Sequence, residues 1–105
     1  MVIIKHFKLL LDDSRKFPAA GYECCRSSKV AILLLSIMEF EFITLDYSLG
    51  NGDTGMEVLL WMKENNVFVP HINIHSNHIF GRRRMQEFCE ENFPHSRVTM
   101  NMLPK

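Results

Sequence analysis

One stretch limits the fold more than any other. The apolar run Phe40-Glu41-Phe42-Ile43-Thr44-Leu45 stops at a single carboxylate, Asp46, and then opens through Leu49-Gly50 into Asn51-Gly52-Asp53-Thr54-Gly55. A buried strand that ends in an acid and enters a loop of turn-forming residues is a common way for an open α/β sheet to present a reactive group. Ile3 to Leu11 reads as a first strand with an apolar end, Phe7 to Leu11, and it too stops at acids, Asp12-Asp13.

The rest of the chain supplies the alternation such a fold needs. Tyr22 to Arg26 is a short second strand. Ser27 or Ser28 caps a helix from about Lys29 to Met38, apolar nearly all round and so expected to be closely buried. Phe40 to Asp46 is the third strand. Asp53 or Thr54 caps a helix over about Gly55 to Asn65, with Met56, Leu59 and Leu60 on one face. Val67 to His75 is the fourth strand, Gly81 to Asn92 a helix with Met85, Phe88 and Cys89 at helical spacing, and Val98 to Met102 a fifth strand. Strands that alternate with helices pair in parallel through right-handed crossovers. The expected fold is a small doubly wound parallel α/β sheet of flavodoxin-like order 2-1-3-4-5, a single domain over residues 1–105, with the last helix missing. The face without that helix is either open or covered by a partner.

Composition removes several function classes. Lys plus Arg and Asp plus Glu are 12 each, so net charge offers no general affinity for nucleic acid or membranes. The longest apolar run, Val30 to Met38, is far short of the ~20 residues that span a bilayer. The first residues lack the order of a secretory signal. Cys24, Cys25 and Cys89 are odd in number, and adjacent cysteines on a strand point to opposite faces. Reduced thiols and a cytoplasmic setting are expected, with no structural zinc.

In the 2-1-3-4-5 order, Asp12, Asp13 and Asp46 meet at the strand ends where the winding reverses, which is where open α/β sheets bind ligands. Two carboxylates about 5 Å apart repel by about 3 kcal/mol at an effective dielectric near 20. A cation, a shared proton or a cationic side chain is needed, and Mg²⁺ suits because it takes one or two carboxylates and phosphate oxygens. The period of 2 in the fourth strand places Ile72 and Ile74 on one face and His71, Asn73 and His75 on the other. His75 and Ser76 then end beside Asp46, where an imidazole serves as acid or base. Arg82-Arg83-Arg84 near a helix start opposes the macrodipole, an arrangement explained by an anionic ligand. Arg82 and Arg15 are the candidate phosphate contacts, while Arg83 and Arg84 read as a solvated face. Trp61 and the methionines read as core.

Taken in order, Leu10-Leu11-Asp12-Asp13-Ser14-Arg15, Leu45-Asp46 through Gly50, Thr54-Gly55 with Val58-Leu59 and Trp61, and His75-Ser76 followed by Gly81-Arg82 and Met85 resemble the cyclic-phosphate processing receiver domain family. The likeness spans nearly the whole chain. It implies a receiver-like fold and a role in processing cyclic phosphates, on nucleotides or at RNA ends. By position it makes Asp12 and Asp13 the acidic pair, Asp46 the acid ending strand three, and His75, Ser76, Gly81 and Arg82 the second motif. Arg15 and Arg26 fall at arginine positions. The family's usual Leu-Asp-His-Asp-Leu-Gly reads Leu45-Asp46-Tyr47-Ser48-Leu49-Gly50 here, and His78 stands where asparagine is expected. Asn101 lies about where ordinary receivers carry a lysine.

The first functional expectation is a metal-assisted phosphoesterase acting on a cyclic phosphate. Asp46, His75 and Ser76 are its catalytic residues, Asp12, Asp13 and Asp46 hold Mg²⁺, and Arg15, Ser76 and Arg82 hold the phosphate. The alternatives are a non-catalytic interaction module, as a homodimer or with a partner on the helix-free face, and a receiver phosphorylated on Asp46.

Overall fold

All five expected strands form in the structure, a computed structural model that describes residues 7–102. The elements in chain order are β1 (Phe7–Leu11), β2 (Glu23–Cys25), α1 (Ser28–Ile37), β3 (Phe40–Leu45), α2 (Met56–Glu64), β4 (His71–Ile74), α3 (Ile79–Asn92) and β5 (Arg97–Thr99). All pairings are parallel, and the sheet order is β2-β1-β3-β4-β5. The expected fold and strand order are therefore those observed. The expected Ile3 to His6 part of strand one lies outside the described residues.

The boundaries shift for local reasons. Pro70 has no N–H to give a ladder, so β4 begins at His71 and not at Val67. Tyr22 N–H is already spent on the Ala19 carbonyl in a turn, so β2 begins at Glu23. β5 ends at Thr99 because both backbone groups of Asn101 turn to the Asn73 side chain. α3 starts at Ile79, two residues before the expected Gly81, because His78 serves as its cap.

The order reverses direction once. The steps β2 to β3, β3 to β4 and β4 to β5 all run one way across the sheet, so right-handed crossovers place α1, α2 and α3 on one face. There Leu9, Leu11, Ile43, Leu45, Ile72 and Ile74 meet Ala31, Leu35, Val58, Leu59, Met62, Met85 and Cys89 in one core. The step β1 to β2 runs back, so residues 12–22 cross the other face without a helix. Among the described residues no helix follows β5.

That second face is nonetheless closed along one rung. Leu10, Thr44 and Asn73 are only 1%, 0% and 2% exposed. They are successive cross-strand neighbours, with Thr99 next in line. Asn101 lies over Asn73, and the Tyr22 ring lies 6.3 Å from that of Phe42.

Two burial expectations are corrected. α1 is not buried all round: Ser28, Ala31 and Leu35 are, but Val30, Leu33 and Ile37 face outward. The helix packs on β1 and α2 along a single stripe. Leu60 is likewise exposed, one 100° step off the buried stripe of Met56, Leu59 and Met62.

Asp53 does not cap the helix that follows it. α2 has Gly55 at its N-cap and no side-chain cap bond. The Asp53 carboxylate instead accepts the Ser28 N–H at 2.8 Å and the Ser28 hydroxyl, and so anchors the start of α1. Ser27 accepts from Val30 N–H, as a cap should. Asp53→Ala is expected to cost about 1–2 kcal/mol in chemical denaturation, since it strands two N-terminal donors of α1.

Candidate functional site

The acids reach one place because β1 and β3 are neighbours in register, with Leu11 opposite Leu45. Each strand is followed directly by its aspartate. Asp12 N–H donates to the Cys25 carbonyl, and Asp46 N–H donates to the Leu11 carbonyl at 3.0 Å, which pins both acids at the sheet's C-terminal edge. His75 follows β4 in the same way, its N–H on the Leu45 carbonyl. Ligand atoms of Asp12, Asp46 and His75 all lie within 4.8 Å of one another. They face a cleft of about 920 Å³ whose walls include Asp13, Arg15, Pro18, Ser76, His78 and Met102.

Asp12 is tightly committed. Its Oδ1 accepts the N–H and hydroxyl of Ser14 and the N–H of Arg15. Its Oδ2 accepts from His75 Nε2 at 3.1 Å and lies 3.5 Å from Arg15 Nε. Burial alone raises a carboxyl pKa. Here hydrogen bonds from the Ser14 N–H and hydroxyl and from His75, with the charge His75 takes on at the acid pH where Asp12 titrates, outweigh burial and hold Asp12 below the ordinary range.

Asp46 goes the other way. Burial and the neighbouring charge of Asp12, with a smaller part from Asp13, push its pKa up, against hydrogen bonds from Ser76 and from Tyr47 N–H at 2.8 Å. Two adjacent carboxyls are thus split in acidity, a pattern that marks groups with separate roles.

His75 is buried, and burial outweighs the attraction of Asp12, so its pKa is lowered and the ring is neutral. A group with a depressed folded-state pKa adds stability that is complete above its unfolded value, about 6.5, and is lost as pH falls toward the folded value. His71, also lowered by burial, acts in the same direction. In EDTA, the histidine contribution to unfolding free energy is therefore expected to fall on acidification from pH 7.5 to 5.5, by up to about 1.4 kcal/mol per pH unit from His75 and less from the more solvated His71, while the raised pKa of Asp46 acts the other way. His75→Gln should flatten that slope. A slope unchanged by the substitution removes the assignment of a neutral, buried ring.

The expected site residues do not all converge. Asp13 is exposed, lines the cleft and stands outside the 4.8 Å cluster. Ser76 is buried. Its hydroxyl accepts from His78 N–H and lies near enough to Asp46 to oppose the rise in that acid's pKa. Arg15 reaches the cleft. Arg82 does not line it: with α3 starting at Ile79, Arg82 falls in the second turn and its Nη1 donates to the Ser76 carbonyl at 3.5 Å. Arg83 and Arg84 are exposed.

Two positions that depart from the receiver pattern touch each other. The Tyr47 and His78 rings are 4.8 Å apart, and His78 Nδ1 accepts Gly81 N–H, the capping bond asparagine would give. A Cβ on Gly81 would overlap the Tyr47 ring, so this glycine is needed for close approach. The polar rung residues Thr44 and Asn73 carried no functional expectation. The only sequence signs are one hydroxyl inside an apolar strand and an asparagine in step with His71 and His75.

A family profile described as Cyclic-phosphate processing Receiver domain matches residues 7–91, most of the chain. No curated protein and no solved structure matches.

Proposed function

The chain belongs to the cyclic-phosphate processing receiver domain family, and on that premise we propose that its cleft hydrolyses a cyclic phosphate ester with the help of a divalent cation. The observation that carries this reading is the pair Asp12 and Asp46, with ligand atoms within 4.8 Å of each other and of His75 at the edge of one cleft. Two carboxylate oxygens at a cleft edge are a hard donor set that suits Mg²⁺, completed by water and phosphate oxygens. Such a cation would polarise the phosphate and favour ionised water as nucleophile.

The chain's own residues do the rest. Asp12 is pre-oriented by Ser14, Arg15 and His75, so little reorganisation is needed when it takes up a ligand. Arg15, at the cleft wall, is placed for non-bridging phosphate oxygens. His75 Nε2–H donates to Asp12 Oδ2 and holds that carboxylate in place, and the proton released as the attacking water ionises would pass to the leaving alkoxide. Ser76 steadies Asp46, and Arg82 steadies Ser76 by its carbonyl. Relative to the sequence reading, Ser76 and Arg82 move from phosphate contacts to supports of the acid.

Turnover of a nucleoside 2′,3′-cyclic phosphate by the purified chain tests this. Product is expected with Mg²⁺, none in EDTA, and restoration on adding Mg²⁺ back. Equal turnover with and without chelator rejects the cation, and no turnover under any cation rejects the hydrolase.

A further inference from the structure

A run of hydrogen bonds crosses the helix-free face from β5 to β1, and every donor in it can be assigned. Asn73 is the fixed point. Its side chain meets both backbone groups of Asn101: the Asn101 N–H must donate, which identifies Oδ1, and the Asn101 carbonyl must accept, which identifies Nδ2. Nδ2 also donates to Thr44 Oγ1 at 2.9 Å. Thr44 is fully buried, and its own hydroxyl proton then goes to His75 Nδ1, 2.7 Å away. That bond needs a bare Nδ1, so the ring proton sits on Nε2, facing Asp12 Oδ2. At the other end Thr99 donates to Asn73 Oδ1 and so accepts from His71 Nε2 at 2.8 Å.

We propose that Thr44 and Asn73 are positioning residues. Through this one-way chain they lock His75 in the Nε2–H tautomer, which commits its proton to Asp12 and withholds its ring nitrogen from any cation in the cleft. The consequence for the cation rests on the function proposed above; the tautomer does not. Asp12, Asp46 and His75 are close enough to form a mixed oxygen and nitrogen set, which favours zinc-like ions. For His75 Nε2 to bind a metal, its proton must move to Nδ1. The Thr44 hydroxyl would then face a donor, with Asn73 already donating from the other side. A buried hydroxyl proton without an acceptor is costly, and second-shell changes of this kind alter metal affinity about 10–100-fold. The relay thus selects a cation content with oxygen ligands.

The test is ¹⁵N–¹H correlation of the imidazoles in the whole chain at pH 7.5, in EDTA and with Mg²⁺. His75 is expected to show the Nε2–H pattern in both. An Nδ1–H pattern, or a mixture, overturns the proposal. Asn73→Asp replaces the donor to Thr44 by an acceptor, so the Thr44 hydroxyl should turn to the new carboxylate and accept from Nδ1; with Asp12 still accepting from Nε2, the ring is expected to carry both protons and show the imidazolium pattern. A folded Asn73→Asp protein whose Nδ1 stays unprotonated also overturns it. If that variant does not fold, Thr44→Val should move the Nδ1 resonance toward that of a nitrogen without a hydrogen bond, while Thr44→Ser keeps the wild-type value. An unmoved resonance in Thr44→Val rejects the lock. Because the readout is spectroscopic, an Nε2–H ring in a protein without turnover would sink the hydrolase alone.

Discussion

Asp46→Asn is expected to act in two opposite directions: cyclic phosphate turnover falls at least about 100-fold, and the metal-free protein becomes more stable. The first effect follows from removing one of two anionic oxygens that would hold the cation. The second follows from the electrostatics. Asp46 stands in a setting where burial and Asp12 disfavour its charge. Its folded-state pKa is raised, so its contribution to stability is complete below the unfolded value, near 4, and is lost as pH rises through the folded value. The uncharged amide escapes this loss and still accepts from Tyr47 N–H. A gain on the order of 1 kcal/mol is expected in EDTA, a fraction of the Coulomb repulsion of such a pair.

Mg²⁺ should separate the two proteins further. Wild type gains stability with added cation in proportion to occupancy, and Asp46→Asn gains little. Denaturant midpoints measured with and without Mg²⁺ read both arms. A variant that is less stable than wild type in EDTA contradicts the view that burial and Asp12 disfavour the Asp46 charge. A variant with full turnover contradicts the role of the acid, whatever its stability.

The parts of this site that could be read from the chain were those written as strand ends. Leu11 before Asp12, Leu45 before Asp46 and Ile74 before His75 each mark where a buried run meets a polar group, and parallel register brings such ends together. The period of 2 in His71-Ile72-Asn73-Ile74 gave the correct faces for the same reason. What escaped was set by contacts between distant segments. Nothing local says that Asp53 serves α1 and not α2, since its partner Ser28 is 25 residues away. Arg82 was placed by a helix start that depended on His78, a residue rarely ranked as a cap. The apolar residues of α1 outnumber the neighbours available to bury them, so composition overstated its burial. Thr44 and Asn73 looked ordinary because their meaning lies in donor direction, which only the shared rung reveals.

Gly55→Ala is expected to cost about 2–4 kcal/mol, the typical range of severe overpacking, which is a large share of a domain's stability. Backbone conformation is not the reason. Gly55 has helical angles, φ −65° and ψ −19°, that alanine adopts freely, and helix propensity alone would favour alanine by up to about 1 kcal/mol. The obstacle is space. A Cβ at this position would overlap the Asp46 carbonyl oxygen, with Met85 Cε 3.0 Å away on the other side. The methionine can rotate; the carbonyl cannot, because Asp46 N–H is held by Leu11 and Gly55 N–H by the Tyr47 carbonyl at 2.8 Å. Relief requires pulling the start of α2 away from the acid, so the loss extends from stability to the site. Gly52→Ala supplies the contrast: it has open space but φ +80°, and should cost only about 1 kcal/mol. Urea unfolding of both variants, with cation affinity measured on the folded protein, distinguishes the two causes. Equal costs for the two glycines, or unaltered cation binding by Gly55→Ala, would show that α2 can yield without moving Asp46, and the close approach would lose its significance for the site.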